Sequence, residues 1–208
     1  MGRYTGPVCR LCRREGLKLF LKSTRCDTPK CALERRDQPP GMHTQRRRKQ
    51  TDYGDRLREK QKVKRFYGIL ERQFRRYFDI ASRSKGNTGS SLMSLLERRL
   101  DNIVHRLGFA GSKRQSRQLV CHGHIYVNGK KVDIASYLVK AGDKITVKPR
   151  PKSVRFVRES LEGNSGKVPD FLSLIKGEQP EGIVQRLPGI DDVSIPVQPQ
   201  LIIELLSK

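Results

Sequence analysis

A chain of 208 residues with 44 Lys and Arg against 21 Asp and Glu carries a formal charge of +23 at neutral pH. The length suffices for one or two domains with real cores, so a disulfide framework is not required, and the charge favours a polyanionic partner. No apolar run is long enough to span a bilayer and the first residues lack the apolar centre of a secretory signal, which excludes membrane-spanning classes and points to a soluble cytosolic protein with reduced thiols.

The basic excess is uneven. Residues 151–208 hold 7 basic and 8 acidic residues, so the surface meant for a polyanion is built mostly from the first 150. At the start, Cys9-x-x-Cys12 and Cys26-x-x-x-x-Cys31 form two close cysteine pairs, each able to bring two thiolates to one ion from a tight turn. Four sulfurs match a closed tetrahedral zinc site, with an iron-sulfur cluster as the alternative and four free thiols as the plain reading. Such a site would fold a segment too polar to fold by burial. Cys121 has no close partner and is expected in a core beside Leu119 and Val120.

Between residues 35 and 51 the chain is polar, with Pro39-Pro40-Gly41 followed by Arg46, Arg47, Arg48 and Lys49; an extended arm that orders on phosphate is expected. Asp52 is placed to cap a helix carrying Tyr53, Leu57, Val63 and Phe66 on one side and Arg56, Arg58, Lys60, Lys62, Lys64 and Arg65 on the other. Gly68 ends it. A second helix follows over residues 71–85 with Phe74, Tyr77, Phe78 and Ala81 on one side.

Leu92, Leu95, Leu96, Leu100, Ile103, Val104 and Leu107 recur at three and four, which predicts one amphipathic helix stopped by Gly108. Ser112 with Gln115 three residues on is a capping-box start for the next helix, which Gly123 ends. Asn128-Gly129 between two short β-prone runs is a strong hairpin signal and brings Lys130 and Lys131 out beside the turn. Arg98, Arg99, Arg106, Lys113, Arg114 and Arg117 cluster at the starts and ends of these elements, the pattern of a polyanion grip. His122 and His124 lie near that cluster, suited to touching phosphate or capping a helix end. After residue 147 a short helix, two strands at FLSLI and GIVQRL, and a terminal segment from Pro199, helical or extended, complete the chain.

The pattern RLDNIVHRLGFA, then S-x-R-Q-S-R-Q-L-V-x-H-G-H-I-x-V-N-G-K-K-V-D-I, closely resembles the RNA-binding domain named after the fourth protein of the small ribosomal subunit. With MGRYTGPVCRLCRREG at the start, PPGMH, DYGDRLREKQKVKRFYG and IPVQPQLIIELLSK at the end, the whole chain resembles the bacterial-type small-subunit ribosomal protein S-four family. That resemblance implies an α+β fold. It would comprise an N-terminal metal-bound arm (1–50), a small helical domain (51–97) joined by 197–208, and an S-four-type α/β RNA-binding domain with a mainly antiparallel sheet and its extension (98–196). It also implies a structural constituent of the small subunit that binds its ribosomal RNA at a junction of helices and nucleates assembly of the subunit body. Neighbouring proteins S-five and S-twelve, an influence on decoding accuracy and proximity to messenger RNA are implied as well. No membrane and no small-molecule substrate enter.

The expected RNA-binding set is Arg3, Arg46, Arg47, Arg48, Lys49, Arg56, Arg58, Lys60, Lys62, Arg98, Arg99, Arg106, Ser112, Lys113, Arg114, Gln115, Arg117, His122, His124, Asn128, Lys130 and Lys131. Arg99-Leu100-Asp101 also resembles the core around the catalytic aspartate of pseudouridine synthases, but here it lies inside a helix of the module. Asp101 is therefore read as structural, paired with a nearby cation. There is no P-loop, G-x-S-x-G elbow or H-E-x-x-H, and the chain is read as no enzyme. A zinc-dependent DNA-binding regulator and a free-standing or RNA-modifying protein with the same domain are the alternatives.

Overall fold

The computed structural model describes residues 2–42, 51–163 and 168–207. The chain divides into two compact units, one formed by Met1–Leu92 with Ser194–Lys208 and the other by Met93–Val193. The segment holding Arg46, Arg47, Arg48 and Lys49 lies outside the described residues.

The first unit starts with helix α1 (Cys9–Glu15), a 3-10 turn (Ser23–Asp27) and the single turn of α2 (Ala32–Arg35). Helix α3 (Asp52–Phe66) is capped one residue earlier than expected. Thr51, in extended geometry, accepts from Gly54 N through its hydroxyl at 3.2 Å, which frees Asp52 to sit in the first turn against the positive end of the helix. Gly68 ends α3 at φ +63, with Ile69 N donating to Lys64 O and Gly68 N to Arg65 O, a Schellman closure. Helix α4 (Glu71–Arg83) buries Phe74, Tyr77 and Ala81. The terminal segment is helical: α9 (Pro199–Leu206) has Pro199 in its first turn and packs on α3. Arg56 Nε reaches Glu204 at 2.8 Å, and Gln198 N donates to Glu59 at 2.7 Å.

Helix α5 (Thr88–Glu97) leads into the second unit. The single helix expected across residues 92–107 is two. Arg99 has φ −63 and ψ 135, an extended residue, and pairs with Leu138 as an isolated bridge. Val139 N donates to Arg98 O, Leu100 N to Tyr137 O and Asp101 N to Ala135 O, so the backbone groups released by the break are satisfied across the chain. Helix α6 (Leu100–Arg106) then restarts the pattern, and the three-and-four spacing survives because both helices bury leucines.

Helix α7 (Lys113–Cys121) begins at Ser112, whose hydroxyl accepts from Gln115 N at 3.4 Å, while Gln115 Oε1 accepts from Gly111 N rather than from Ser112 N. Its inner face is Ser116 and Val120. Cys121 is exposed and not in the core, because it continues the outer stripe of Arg114 and Gln118 at helical spacing.

Strands β1 (Ile125–Val127), β2 (Lys130–Lys131), β3 (Lys144–Val147), β4 (Leu172–Ile175) and β5 (Glu181–Val184) form an antiparallel sheet in the order β2-β1-β3-β5-β4. Asn128 at φ 50 and Gly129 at φ 76 make the turn that the right-handed strand twist favours. Helix α8 (Pro151–Gly163) fills the connection before β4. The core joins Leu100, Ile103, Val104 and Leu107 of α6 to Ile125, Val127, Ile145 and Val147 of the sheet and Val157 of α8. Gly182 is needed there, since a Cβ would collide with the Leu107 side chain.

The break is locked by charge. Arg99 is wholly buried and grips Asp101 with two bonds, Nε to Oδ1 at 3.0 Å and Nη2 to Oδ2 at 2.7 Å; Arg117 adds a longer contact at 3.5 Å. Asp101 thus pairs with cations, as expected of a structural residue. Replacing Arg99 by Ala strands a buried carboxylate, and urea unfolding should show a loss of about 3–5 kcal/mol, whereas Arg117→Ala should cost about 1 kcal/mol. Equal losses would sink this ranking.

Candidate nucleic-acid interface

Whether a cation can meet phosphate depends on what already holds it. On α3 the carboxylates hold most of them. Lys60 and Lys64 bond Glu71 at 2.6 and 3.0 Å, Lys62 bonds Glu59 at 2.8 Å, Arg56 bonds Glu204, and Arg58 and Arg65 converge on the buried Glu15. Burial would raise the Glu71 carboxyl, but Lys60 and Lys64 hold it down to about 2. The expected basic face of Arg56, Arg58, Lys60 and Lys62 is therefore largely an internal ion-pair layer tying α3 to α1, α4 and α9.

The outward positive charge of this unit lies elsewhere. Arg72, Arg76 and Arg83 are exposed on α4 opposite Phe74, Tyr77 and Ala81, with Arg75 beside them at 3.5 Å from Glu71 and Lys85 just beyond. Sequence reasoning missed this stripe, although spacings of three, four and seven residues on the polar side of an amphipathic helix are a legible signal. Arg3 is exposed near the start of the chain.

In the second unit the expected cluster splits in the same way. Arg99 is corrected from a phosphate contact to an interior residue. Arg98 donates to Val139 O at 3.0 Å, and Arg106 bonds Glu97 at 3.4 Å and Asp192 O. Asn102 donates to the buried Glu97 at 2.6 Å and accepts from Lys113. Burial pulls Lys113 down to about 7, with Glu97 opposing and Arg106 assisting. Ser112 and Gln115 serve the helix start. Asn128 donates to Asp143 at 2.8 Å and accepts from Lys144 N at 2.9 Å, so its amide braces the hairpin. His105 Nδ1 lies 3.2 Å from Ala110 O, and burial keeps its pKa near 4, hence neutral.

On the surface stand Arg114 on α7, His122 at its C-cap, and Lys130 and Lys131 on β2, with His124 half-buried behind them. The buried network orders α6 and α7, while the outward residues of α7 and the hairpin are exposed.

Cys9, Cys12, Cys26 and Cys31 line one cavity of about 20 Å³, together with Val8 and Leu21. Cys12, Cys26 and Cys31 are buried. Burial pushes the Cys12 and Cys26 thiols up, and charge on the neighbouring cysteines adds to the push, a crowding that a bound cation would relieve. Among the described residues no His, Cys, Asp or Glu group is drawn together closely enough to hold an ion. The donor chemistry at this cavity is four thiols, the set that a four-thiolate metal takes.

The sequence pattern of the ribosomal protein S4/S9 N-terminal domain matches residues 3–97, and that of the S4 domain matches residues 98–145. The chain is 57% identical over 208 residues to small ribosomal subunit protein uS4 of Thermoanaerobacter sp. (strain X514), with the full length of both covered. The chain belongs to the uS4 family. Identity is 57% over 210 residues to a uS4 protein of Thermus thermophilus and 56% over 209 residues to that of Geotalea uraniireducens (strain Rf4), again over full lengths. uS4 is a structural, non-enzymatic family, and the Arg99-Leu100-Asp101 run that resembles a synthase core is here a buried structural pair.

In this uS4 chain the two arginines of α7 should separate by experiment. Arg114→Glu should lower RNA affinity and flatten its salt dependence. Arg117→Glu should lower the unfolding midpoint further than Arg114→Glu does, because it sets a second carboxylate against Asp101. Equal shifts of the midpoint would place Arg114 in the scaffold.

Proposed function

We propose that the chain is a cytoplasmic structural constituent of the small ribosomal subunit that binds its ribosomal RNA directly and nucleates assembly of the subunit body. The observation that carries this is identity above one half to uS4 proteins over the whole length, with both family regions present. Affinity comes from neutralised phosphates and released counterions, supplied by Arg114, Lys130 and Lys131 in one unit and by Arg3 and the α4 stripe in the other. Duplex RNA hides base edges in a deep groove, so recognition is of shape at a helix junction, through phosphate and 2′-hydroxyl contacts from separated patches. S-five and S-twelve as neighbours, and an effect on decoding accuracy, rest on the family resemblance.

Ultraviolet crosslinking in cells, with sequencing of the attached RNA and fractionation of particles, tests this reading. Crosslinks concentrated at one multi-helix junction of small-subunit RNA are expected; crosslinks scattered over tRNA or large-subunit RNA would leave only the RNA-binding module standing.

Cys9, Cys12, Cys26 and Cys31 would hold one zinc ion, with an iron-sulfur cluster as the lesser reading; the shared cavity and the four-thiol donor set support it. The metal would supply folding free energy to residues 1–40 and no chemistry. Elemental analysis of the purified protein should find about one zinc per chain, and Ser at Cys9 and Cys12 should open the first 40 residues to proteolysis while the second unit keeps its hydrogen-exchange protection. A metal-free protein with an equally protected N-terminus would refute it.

A further inference from the structure

Helix α1 has only two turns, and its N-cap residue, Val8, makes no side-chain cap. A helix this short is not stable alone in water, so α1 is ordered by what its side chains touch. Cys9 and Cys12 line the cavity shared with Cys26 and Cys31. Arg13 Nε donates to Gln38 O at 2.9 Å and its Nη2 to Pro39 O at 3.4 Å, which ties the helix to the chain after α2. Glu15, the last residue, reaches another element. Its side chain is 2% exposed and accepts from Arg65, with Arg58 at 3.6 Å, both from α3.

Positions 9, 12 and 15 are three apart, so the two thiols and the carboxylate run along one side of the same two turns. Burial pushes the Glu15 carboxyl up, and Arg65, Arg58 and Lys62 oppose the push. A carboxylate in the last turn also meets the negative end of the helix dipole. Glu15 is therefore tolerated inside only while the α3 arginines face it, and those arginines are neutralised only while α1 is folded. Other cations of α3 do not share this dependence: Lys60 and Lys64 pair with Glu71 on α4, and Arg56 pairs with Glu204 on α9.

We infer that Glu15 is a latch between the four-cysteine site and α3: holding the cysteines together keeps α1 folded and Arg58 and Arg65 neutralised, and opening them turns both guanidinium groups out to solvent. The inference rests on the cysteines binding zinc. Two contacts made by one cooperative element are linked in both directions, so breaking the Glu15 contact weakens the metal site by the same factor by which metal removal weakens the contact. Metal occupancy thereby sets how many cations of α3 are internally paired.

The test is the zinc affinity of the full chain, measured by competition with a chromophoric chelator at fixed pH and salt. Glu15→Gln should weaken zinc binding on the order of tenfold. Glu71→Gln, which removes a carboxylate from α3 without touching α1, should leave it unchanged. Arg65→Gln should weaken binding as well, and should add little in the Glu15→Gln background. In the wild type, withdrawing zinc should speed the modification of Arg58 and Arg65 by phenylglyoxal, read by peptide mass spectrometry, and leave that of Arg56 unchanged. Should Glu15→Gln fail to fold, Arg65→Gln and the labelling of the wild type carry the comparison. Equal zinc affinity in the wild type, Glu15→Gln and Arg65→Gln, an equal loss in Glu71→Gln, or labelling that zinc does not alter overturns the latch and leaves the metal reading intact. A protein that takes up no zinc overturns the metal reading and this inference together.

Discussion

A buried arginine held by a carboxylate two residues away sets the architecture of the second unit. Removing a guanidinium from water is costly unless its donors find acceptors, and Arg99 meets that demand on Asp101 with two short bonds. To do so the chain leaves helical geometry at Arg99, and the released backbone groups bond residues 135–139 instead. Helix α6 therefore starts where this pair allows. Asp101 in turn receives Arg117, and its carbonyl accepts from Ser116, so α7 is oriented by the same residue. The outward direction of Arg114 follows from that orientation.

The high positive charge of this chain does two jobs that the sequence writes in the same letters. About the carboxylates Glu15, Glu59, Glu71 and Glu204, cations of α3 bind the first unit to itself. Glu97 does the same for Arg106 and, through Asn102, for Lys113. The remainder stands exposed on the outer faces of α4 and α7, on the hairpin and at the start of α8. This division reconciles a charge of +23 with a folded protein: internal pairing lowers the self-repulsion that so much charge would otherwise bring.

Periodicity and punctuation carried a large part of the fold into view. Gly68, Gly108 and Gly123 end helices, Ser112 starts one, Asn128-Gly129 turns the hairpin, and Pro199 opens the last helix, because each of these depends on local backbone geometry. Expectation and structure part where a long-range partner decides. Leucines at three and four read as one helix because two consecutive helices with one buried side give the same spacing. Cys121 reads as core from its apolar neighbours, but its place on α7 is set by which face Ser116 and Val120 turn inward.

Composition, motif and local spacing were enough for the family, the polyanionic class of partner and most element types. Tertiary structure decided which cations are scaffold and which are surface. An arginine or lysine is the same residue in either role; only a carboxylate, brought within bonding distance by the path and packing of the chain, distinguishes Arg99 from Arg72 or Lys60 from Lys130. For Lys60 that carboxylate sits on another helix, and for Arg99 the grip needs a break in helical geometry that residues 135–139 stabilise from afar. That information lies in contacts between separate parts of the chain, and no local pattern encodes it.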